Sequence, residues 1–265
     1  MTKLENMTET DVWGTGGAAY DPISFGLSDG IGHAVQKLCP APGEKVLDLG
    51  TGTGWAARLV AGLGADVTGL DMSEPMIRAA RELSAHLETR LRFRKGAAEA
   101  LPFDDATFDG VISTYGVMFA SQPDRAISEM ARVLRPGGRM ALTTWAETEG
   151  YIADFFAVIG HHSDAPPPEA SPFDWGNEDW LRDHLGRQFD ISVEPLTTTY
   201  FAPDAATVWH KYRQGFGPVR ATYDALPPDR AEAFRADFIA MQEHYAGASG
   251  LRITRKALLV SGRRR

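Results

Sequence analysis

A short apolar run, Val46-Leu47-Asp48-Leu49, leads into the glycines Gly50, Gly52 and Gly54 and then into a helix-compatible stretch, Trp55 to Ala61. Glycine permits positive φ and lets a ligand approach bare backbone, while the start of the following helix offers free N–H donors. A nucleotide-like ligand suits such a turn. Asp71 ends the next apolar run, where its carboxylate can accept hydrogen bonds from both hydroxyls of a ribose. The spacing argues against a dinucleotide oxidoreductase. That pattern needs G-x-G-x-x-G, whereas the sixth position counted from Gly50 is Trp55 and the third glycine arrives early, at Gly54. Asp48, just before the turn, would repel a pyrophosphate and suits a cationic group instead.

The elements that must position these residues are those of an α/β fold. From Glu44 to Ala146 short apolar runs alternate with helix-like stretches, the pattern of a parallel sheet covered by helices. Strands are predicted at Lys45–Leu49, Asp66–Leu70, Leu91–Lys95, Gly110–Thr114 and Arg139–Thr144. Ser73 reads as the N-cap of a helix whose Met76, Ile77, Ala80 and Leu83 share one face. A helix over Asp124–Leu134 is expected to end at Arg135-Pro136-Gly137-Gly138, a reversal into the next strand. Upstream, Ile23 to Leu38 reads as one amphipathic helix closed by Pro40 and Pro42. Downstream the rhythm changes, with helices at Tyr151–His162 and Asn177–Leu185 around a Pro-rich loop, a β-rich run at Ile191–Phe201, helices across Asp204–Tyr245 and a strand at Leu251–Val260. The organisation expected is an N-terminal helical segment covering the cleft (1–43), a ligand-binding core (44–146), and a completion of the sheet with cap insertions at 147–188 and 204–246 in the same domain (147–265).

The motifs VLDLGTGTG, GLDMSEPM, GAAEALPF, FDGVISTYGVMF and RVLRPGG, in this order between about Glu44 and Trp145, resemble those of the class I S-adenosylmethionine (SAM)-dependent methyltransferases. The likeness is greatest to the branch of ubiquinone and menaquinone biosynthesis methyltransferases. The resemblance implies a Rossmann-like sheet of seven strands, the last antiparallel, with helical insertions forming a substrate cap. It also implies SAM as cofactor and S-adenosylhomocysteine (SAH) as product. By the same resemblance, Asp48, Gly50, Thr51, Gly52 and Gly54 surround the methionine end of SAM, Asp71 holds the ribose and Met72 packs on the adenine. Ala98 and Glu99 pass the adenine edge, while Thr114 and Tyr115 stand beside the methionine moiety. Relatives commonly carry Asp where Ala97 stands, so the base is expected to be held with one fewer polar contact. They often carry Cys where Thr51 stands, a difference expected to have no functional consequence.

In an open α/β sheet ligands sit beyond the carboxyl ends of the strands. Tyr115, Met118, Phe119 and the insertion Tyr151 to Leu185 are therefore expected to line the acceptor pocket, with Tyr20 folding over the cofactor. Methyl transfer is an in-line displacement, and a base is needed only if the acceptor must lose a proton. His161 and His162, closing the first helix of the insertion, are the candidate catalytic residues; both also read simply as residues at a helix C-terminus. Glu169, Asp174 and Trp175 could steady a developing cation. Trp209, Tyr212 and Phe216 recur at helical spacing and read as core or lid packing.

A net charge of −8 argues against nucleic acid as partner, and the basic Arg263, Arg264 and Arg265 read as a solvated tail. A single cysteine, Cys39, excludes an intrachain disulfide and a cysteine-rich metal site, and no metal is expected. No run is apolar enough to span a membrane and the polar start lacks signal-peptide character, so a cytoplasmic protein, monomer or homodimer, is expected. The expected function is O-, N- or C-methylation of a small apolar or aromatic metabolite, as in natural-product biosynthesis. A SAM-binding protein that catalyses a non-methylating reaction or senses a ligand is the alternative, with an NAD-dependent oxidoreductase behind it.

Overall fold

The structure is a computed structural model and describes residues 9–87, 89–146 and 149–265. Its strands are β1 Lys45–Leu49, β2 Asp66–Asp71, β3 Leu91–Lys95, β4 Phe108–Thr114, β5 Leu134–Trp145, β6 Phe189–Ala202, β7 Ala246–Gly247 and β8 Gly250–Arg264. They form one sheet in the order β3-β2-β1-β4-β5-β8-β6, with the two-residue β7 pairing only with β8. The pairs among β1 to β5 are parallel, and β8 runs antiparallel to both β5 and β6. The antiparallel final strand expected from the sequence is therefore present, seated between two strands that precede it in the chain. The central strands are buried along most of their length, which is why they read as nearly continuous apolar runs rather than as alternating ones.

The helices are α1 Glu9–Gly14, α2 Asp21–Phe25, α3 Ser28–Leu38, α4 Trp55–Gly62, α5 Glu74–Leu83, α6 Pro123–Val133, α7 Tyr151–His162, α8 Glu178–Leu185, α9 Ala205–Gly215, α10 Gly217–Ala225 and α11 Pro228–Glu243. Ser73 caps α5 through the Met76 N–H, and Asn177 caps α8 through the Trp180 N–H, as their sequences require. Helices α7 and α9 follow the carboxyl ends of β5 and β6, and α11 leads back to the start of β8 at the same edge. Together with α10, which packs on α7, α9 and α11, they form a cap over that edge. The cap residues join one hydrophobic cluster that runs through the sheet to α3, so the insertions borrow the core rather than build another. Among the described residues no helix is long and apolar enough to cross a membrane.

Three sequence expectations need correction. The single helix over Ile23–Leu38 is broken into α2 and α3 at Gly26 and Leu27, where the Tyr200 ring packs so closely that a Cβ on Gly26 would stand 3.3 Å from it. Arg135-Pro136-Gly137-Gly138 is a bulge within β5 rather than a separate reversal: β4 pairs with Leu134 and again from Arg139, and Gly137 takes φ +74° between them. The terminal arginines form no tail. Arg263 and Arg264 are in β8 and donate to the Gly137 and Leu134 carbonyls, while Arg265 bonds Asp190 at 2.7 Å.

Candidate active site

The turn from β1 into α4 adopts left-handed backbone at all three glycines, with φ of +69° at Gly50, +54° at Gly52 and +88° at Gly54. Gly50 lies against the turn after β4, so that a Cβ there would come within 2.9 Å of the Gly116 Cα. Ser113 stitches the two turns together, donating to the Leu49 carbonyl at 2.5 Å and accepting from the Val117 N–H. Beneath the turn Asp48 is 1% exposed. Its Oδ2 accepts from the Thr51 hydroxyl at 2.6 Å and from the Ala57 N–H at 3.0 Å, while its Oδ1 is buried without a partner. Burial pushes the Asp48 carboxyl up to about 6, against the opposing effect of those two hydrogen bonds.

Asp71 sits at the tip of β2 facing the turn. Its two oxygens accept from the Gly52 and Ser73 N–H groups, each at 2.9 Å, and burial raises its pKa despite them. Each oxygen keeps a lone pair for a further donor. These groups border an open cleft of about 970 Å³, also lined by Gly50, Thr51, Met72 and the Ala98–Glu99 segment, with Thr114 and Tyr115 at the end of β4. Of the residues expected around the cofactor, only Asp48 and Gly54 stand behind the cleft wall rather than on it. A bidentate carboxylate beside a bare glycine turn, with a buried acid behind it, fits an adenosine bearing a cationic tail.

The N-terminal segment closes one side. Asp21 is fastened to the glycine turn by the Thr53 hydroxyl at 2.9 Å and by Arg58 at 3.0 Å, and Arg58 also donates to the Thr53 carbonyl. This clamp brings Tyr20 over Gly52, where a Cβ would stand 3.7 Å from the Tyr20 ring. Burial raises the pKa of the Tyr20 hydroxyl, which therefore stays protonated at neutral pH.

A second, more apolar chamber adjoins the cleft, and Trp13, Tyr20, Leu27, Tyr115 and Phe119 line both. Its other walls come from Tyr151, Ile152, Phe155 and Phe156 of α7, Tyr212 and Phe216 at the end of α9, and Arg255 of β8. Tyr115 partitions the two spaces in a strained pose, with φ +55° and its ring stacked on Trp145 at 4.2 Å.

Tyr115, Phe119 and the first helix of the insertion thus meet where the sequence placed them, whereas Met118 is packed in the core. His161 and His162 are not brought to the site. His162 is 7% exposed, bonded to Asp237 at 2.7 Å and packed on Phe234, and His161 is exposed beside it; neither lines the cleft or the chamber. Trp175 is wholly buried with its carbonyl accepting from Thr144, and it too is absent from the walls, as are Glu169 and Asp174. Tyr212 and Phe216, read as packing, line the chamber, while Trp209 packs on Phe234 and Phe238. Sequence reasoning missed Trp13, the Asp21–Arg58 clamp and Arg255. Trp13 and Asp21 lie in segments with no periodic signal, Arg58 is one polar residue of an otherwise apolar helix, and Arg255 is one of several cations along β8.

Residues 47–142 match a family described as a methyltransferase domain. The chain is 37% identical over 193 residues to an uncharacterized protein of Mycobacterium tuberculosis, a match covering 69% of this chain and 68% of that protein. It is 35% identical over 130 residues to the demethylmenaquinone methyltransferase of Clavibacter sepedonicus, covering 47% of this chain and 53% of that enzyme. Among solved structures, the YcgJ protein of Bacillus subtilis shares the fold with a TM-score of 0.63 at 22% identity, covering 90% of this chain and 99% of that one.

Proposed function

The chain belongs to the class I SAM-dependent methyltransferases, and we propose that it methylates a small, apolar or aromatic metabolite held in the second chamber. The observation that carries this reading is the shared wall: Tyr20 and Tyr115 border both the cleft and the chamber, so a ligand in one abuts a ligand in the other. In the cleft, Asp71 would accept from the ribose hydroxyls, Met72, Ala98 and Glu99 would flank the adenine, and Gly50, Gly52 and Thr114 would border the methionine end. The bound sulfonium supplies an electrophilic methyl group and a neutral sulfide as leaving group.

The chain's own contribution is placement and exclusion of water. The chamber walls are mostly aromatic, so an apolar acceptor gains by burial there. Tyr20, Tyr151 and Tyr212 all have their pKa values raised by burial, so at neutral pH they offer hydroxyl donors rather than phenolate bases. Tyr151 already spends its proton on the Gln242 side-chain oxygen at 3.2 Å. Activation of the acceptor therefore rests on its own nucleophilicity and its alignment, with no assigned base.

Incubation with methyl-labelled SAM and a panel of aromatic acceptors tests the reading. Label appearing in product is expected. SAH binding without transfer to any acceptor of this class would favour a protein that uses the cofactor for another reaction or for sensing, and absence of SAM and SAH binding in calorimetry would remove the reading altogether.

A further inference from the structure

Arg255 projects from β8 into an environment that is otherwise aromatic. It is 2% exposed, its guanidinium lies 5.5 Å from the Trp145 ring centroid and 5.6 Å from that of Tyr200, and it lines the chamber. Its Nε donates to the Thr198 hydroxyl at 3.1 Å and its Nη2 to the Gly26 carbonyl at 2.6 Å. Those bonds use two of its five donors, and among the described residues Nη1 has no hydrogen-bond partner and no carboxylate pairs with the side chain. Buried charges are ordinarily paired. Elsewhere in this molecule Arg58, Arg139 and Arg213, with side chains 14%, 22% and 27% exposed, each reach a carboxylate.

A second cation, Lys211, contacts the Tyr200 ring that Arg255 also contacts, without itself lining the chamber. The Lys211 Nζ lies 5.2 Å from the Tyr200 ring centroid, makes no ion pair among the described residues, and has its pKa lowered by burial and by the charge of Arg255. The tyrosines around them provide no counter-charge, because burial keeps Tyr151, Tyr200 and Tyr212 protonated. A fixed positive charge with free donors, bordering an apolar chamber, is a site built for one anionic group on an apolar body.

We propose that the acceptor carries a carboxylate on an apolar, ring-bearing skeleton, received by the Arg255 guanidinium with Lys211 adding to the positive field. This deepens the methyltransferase reading, since it rests on the chamber being the acceptor site. Arg255 is a specificity-determining residue: it fixes the charged group of the acceptor in a chamber that shares Tyr20 and Tyr115 with the cofactor cleft.

The test compares biphenyl-4-carboxylate with the neutral biphenyl-4-carboxamide by calorimetry, with the cleft saturated by SAH and again without it. In the unaltered protein the carboxylate is expected to bind roughly ten- to a hundred-fold more tightly, the range for a hydrogen bond to a charged group. Arg255→Gln should abolish that preference, Arg255→Lys should keep part of it, and Lys211→Met should lower it by a smaller factor. A purely structural role for Arg255 would weaken both probes alike and leave their ratio unchanged. Equal binding of the two probes to the unaltered protein, binding of neither, or a preference that survives Arg255→Gln overturns the proposal. If Arg255→Gln does not fold, a ratio unchanged in both Arg255→Lys and Lys211→Met overturns it instead. Absence of SAH binding would sink the methyltransferase reading while leaving the charge preference measurable in the series without SAH. A lost preference beside intact SAH binding would sink this proposal alone.

Discussion

The two halves of the site are built by different means. The cofactor side is made of backbone: left-handed glycines at the turn after β1, N–H groups held by Asp48 and Asp71, and the turn after β4 pressed against Gly50. The chamber, the proposed acceptor side, is made of side chains gathered from α7, α9, β8 and the N-terminal segment, most of them aromatic. A backbone cradle fixes one ligand shape and tolerates almost no change, whereas an aromatic box accepts whatever fills it and is retuned by single substitutions. Cofactor and acceptor binding should therefore respond to separate sets of mutations, except at the shared wall.

The largest separation is expected from Asp71→Ala. Removing the carboxylate deletes two hydrogen bonds to a charged acceptor and frees the Gly52 N–H, so SAH affinity should fall by roughly a hundred-fold or more. Calorimetry checks this, and an acceptor-site probe should bind unchanged. The converse is Phe216→Ala, which empties one wall of the chamber: Phe216 packs on Trp13 at 5.4 Å and on Phe155 at 5.3 Å. Chemical denaturation should show a loss of about 3 kcal/mol, and the acceptor KM should rise while the SAH dissociation constant moves little. Equal effects on both ligands would break the distinction drawn here.

Next in size is a pH effect confined to the cofactor side. In the folded protein without ligand, burial holds the Asp48 carboxyl at about 6 against an ordinary 3.8. Because the folded form binds this proton more tightly than the unfolded chain, stability should rise as pH falls through 6 toward 4, by on the order of 3 kcal/mol at most. A cationic ligand favours the ionised carboxylate, so SAM affinity should move the opposite way and weaken as pH drops through about 6. Asp48→Asn should remove both trends. The smallest effect is expected from His162→Gln: loss of the contact to the half-exposed Asp237 should cost about 1 kcal/mol or less, with label transfer unchanged. A large fall in transfer at unchanged stability would return His162 to the chemistry.

The same contrast governs what could be read from the sequence. The cofactor side was legible because its signals are local: glycines at fixed offsets, an acid at the end of the next strand, and Ser73 capping the helix beyond it. The parallel α/β core followed from the same alternation, and the antiparallel last strand from the family resemblance, whereas the strand order is seen only in the structure. The acceptor side was only half legible. Tyr151 and Phe155 were anticipated through the helix that carries them, but Trp13 and Arg255 each reach the chamber through long-range packing that no periodicity encodes. The histidines at the end of α7 illustrate the limit, for a position in the right helix says nothing about which face turns inward. The break at Gly26 and the bulge at Pro136–Gly138 escaped notice for a related reason: each is decided by a neighbour distant in the chain, Tyr200 in one case and β4 in the other.

The placement of β8 bears on how the molecule assembles. Among the described residues β6 has no sheet partner except β8, and β8 pairs with β5 across a register that joins Trp145 to Ala257. In the chain order β6 thus precedes the strand it pairs with, and one edge of β5 is likewise closed only by β8. Closing so long a loop is slow and leaves hydrogen-bonding edges exposed. Since Arg255 lies on β8, the strand that completes the sheet is also the one that carries this charge to the chamber: until β8 has docked, the glycine turn after β1 can be in place while the chamber lacks its cation.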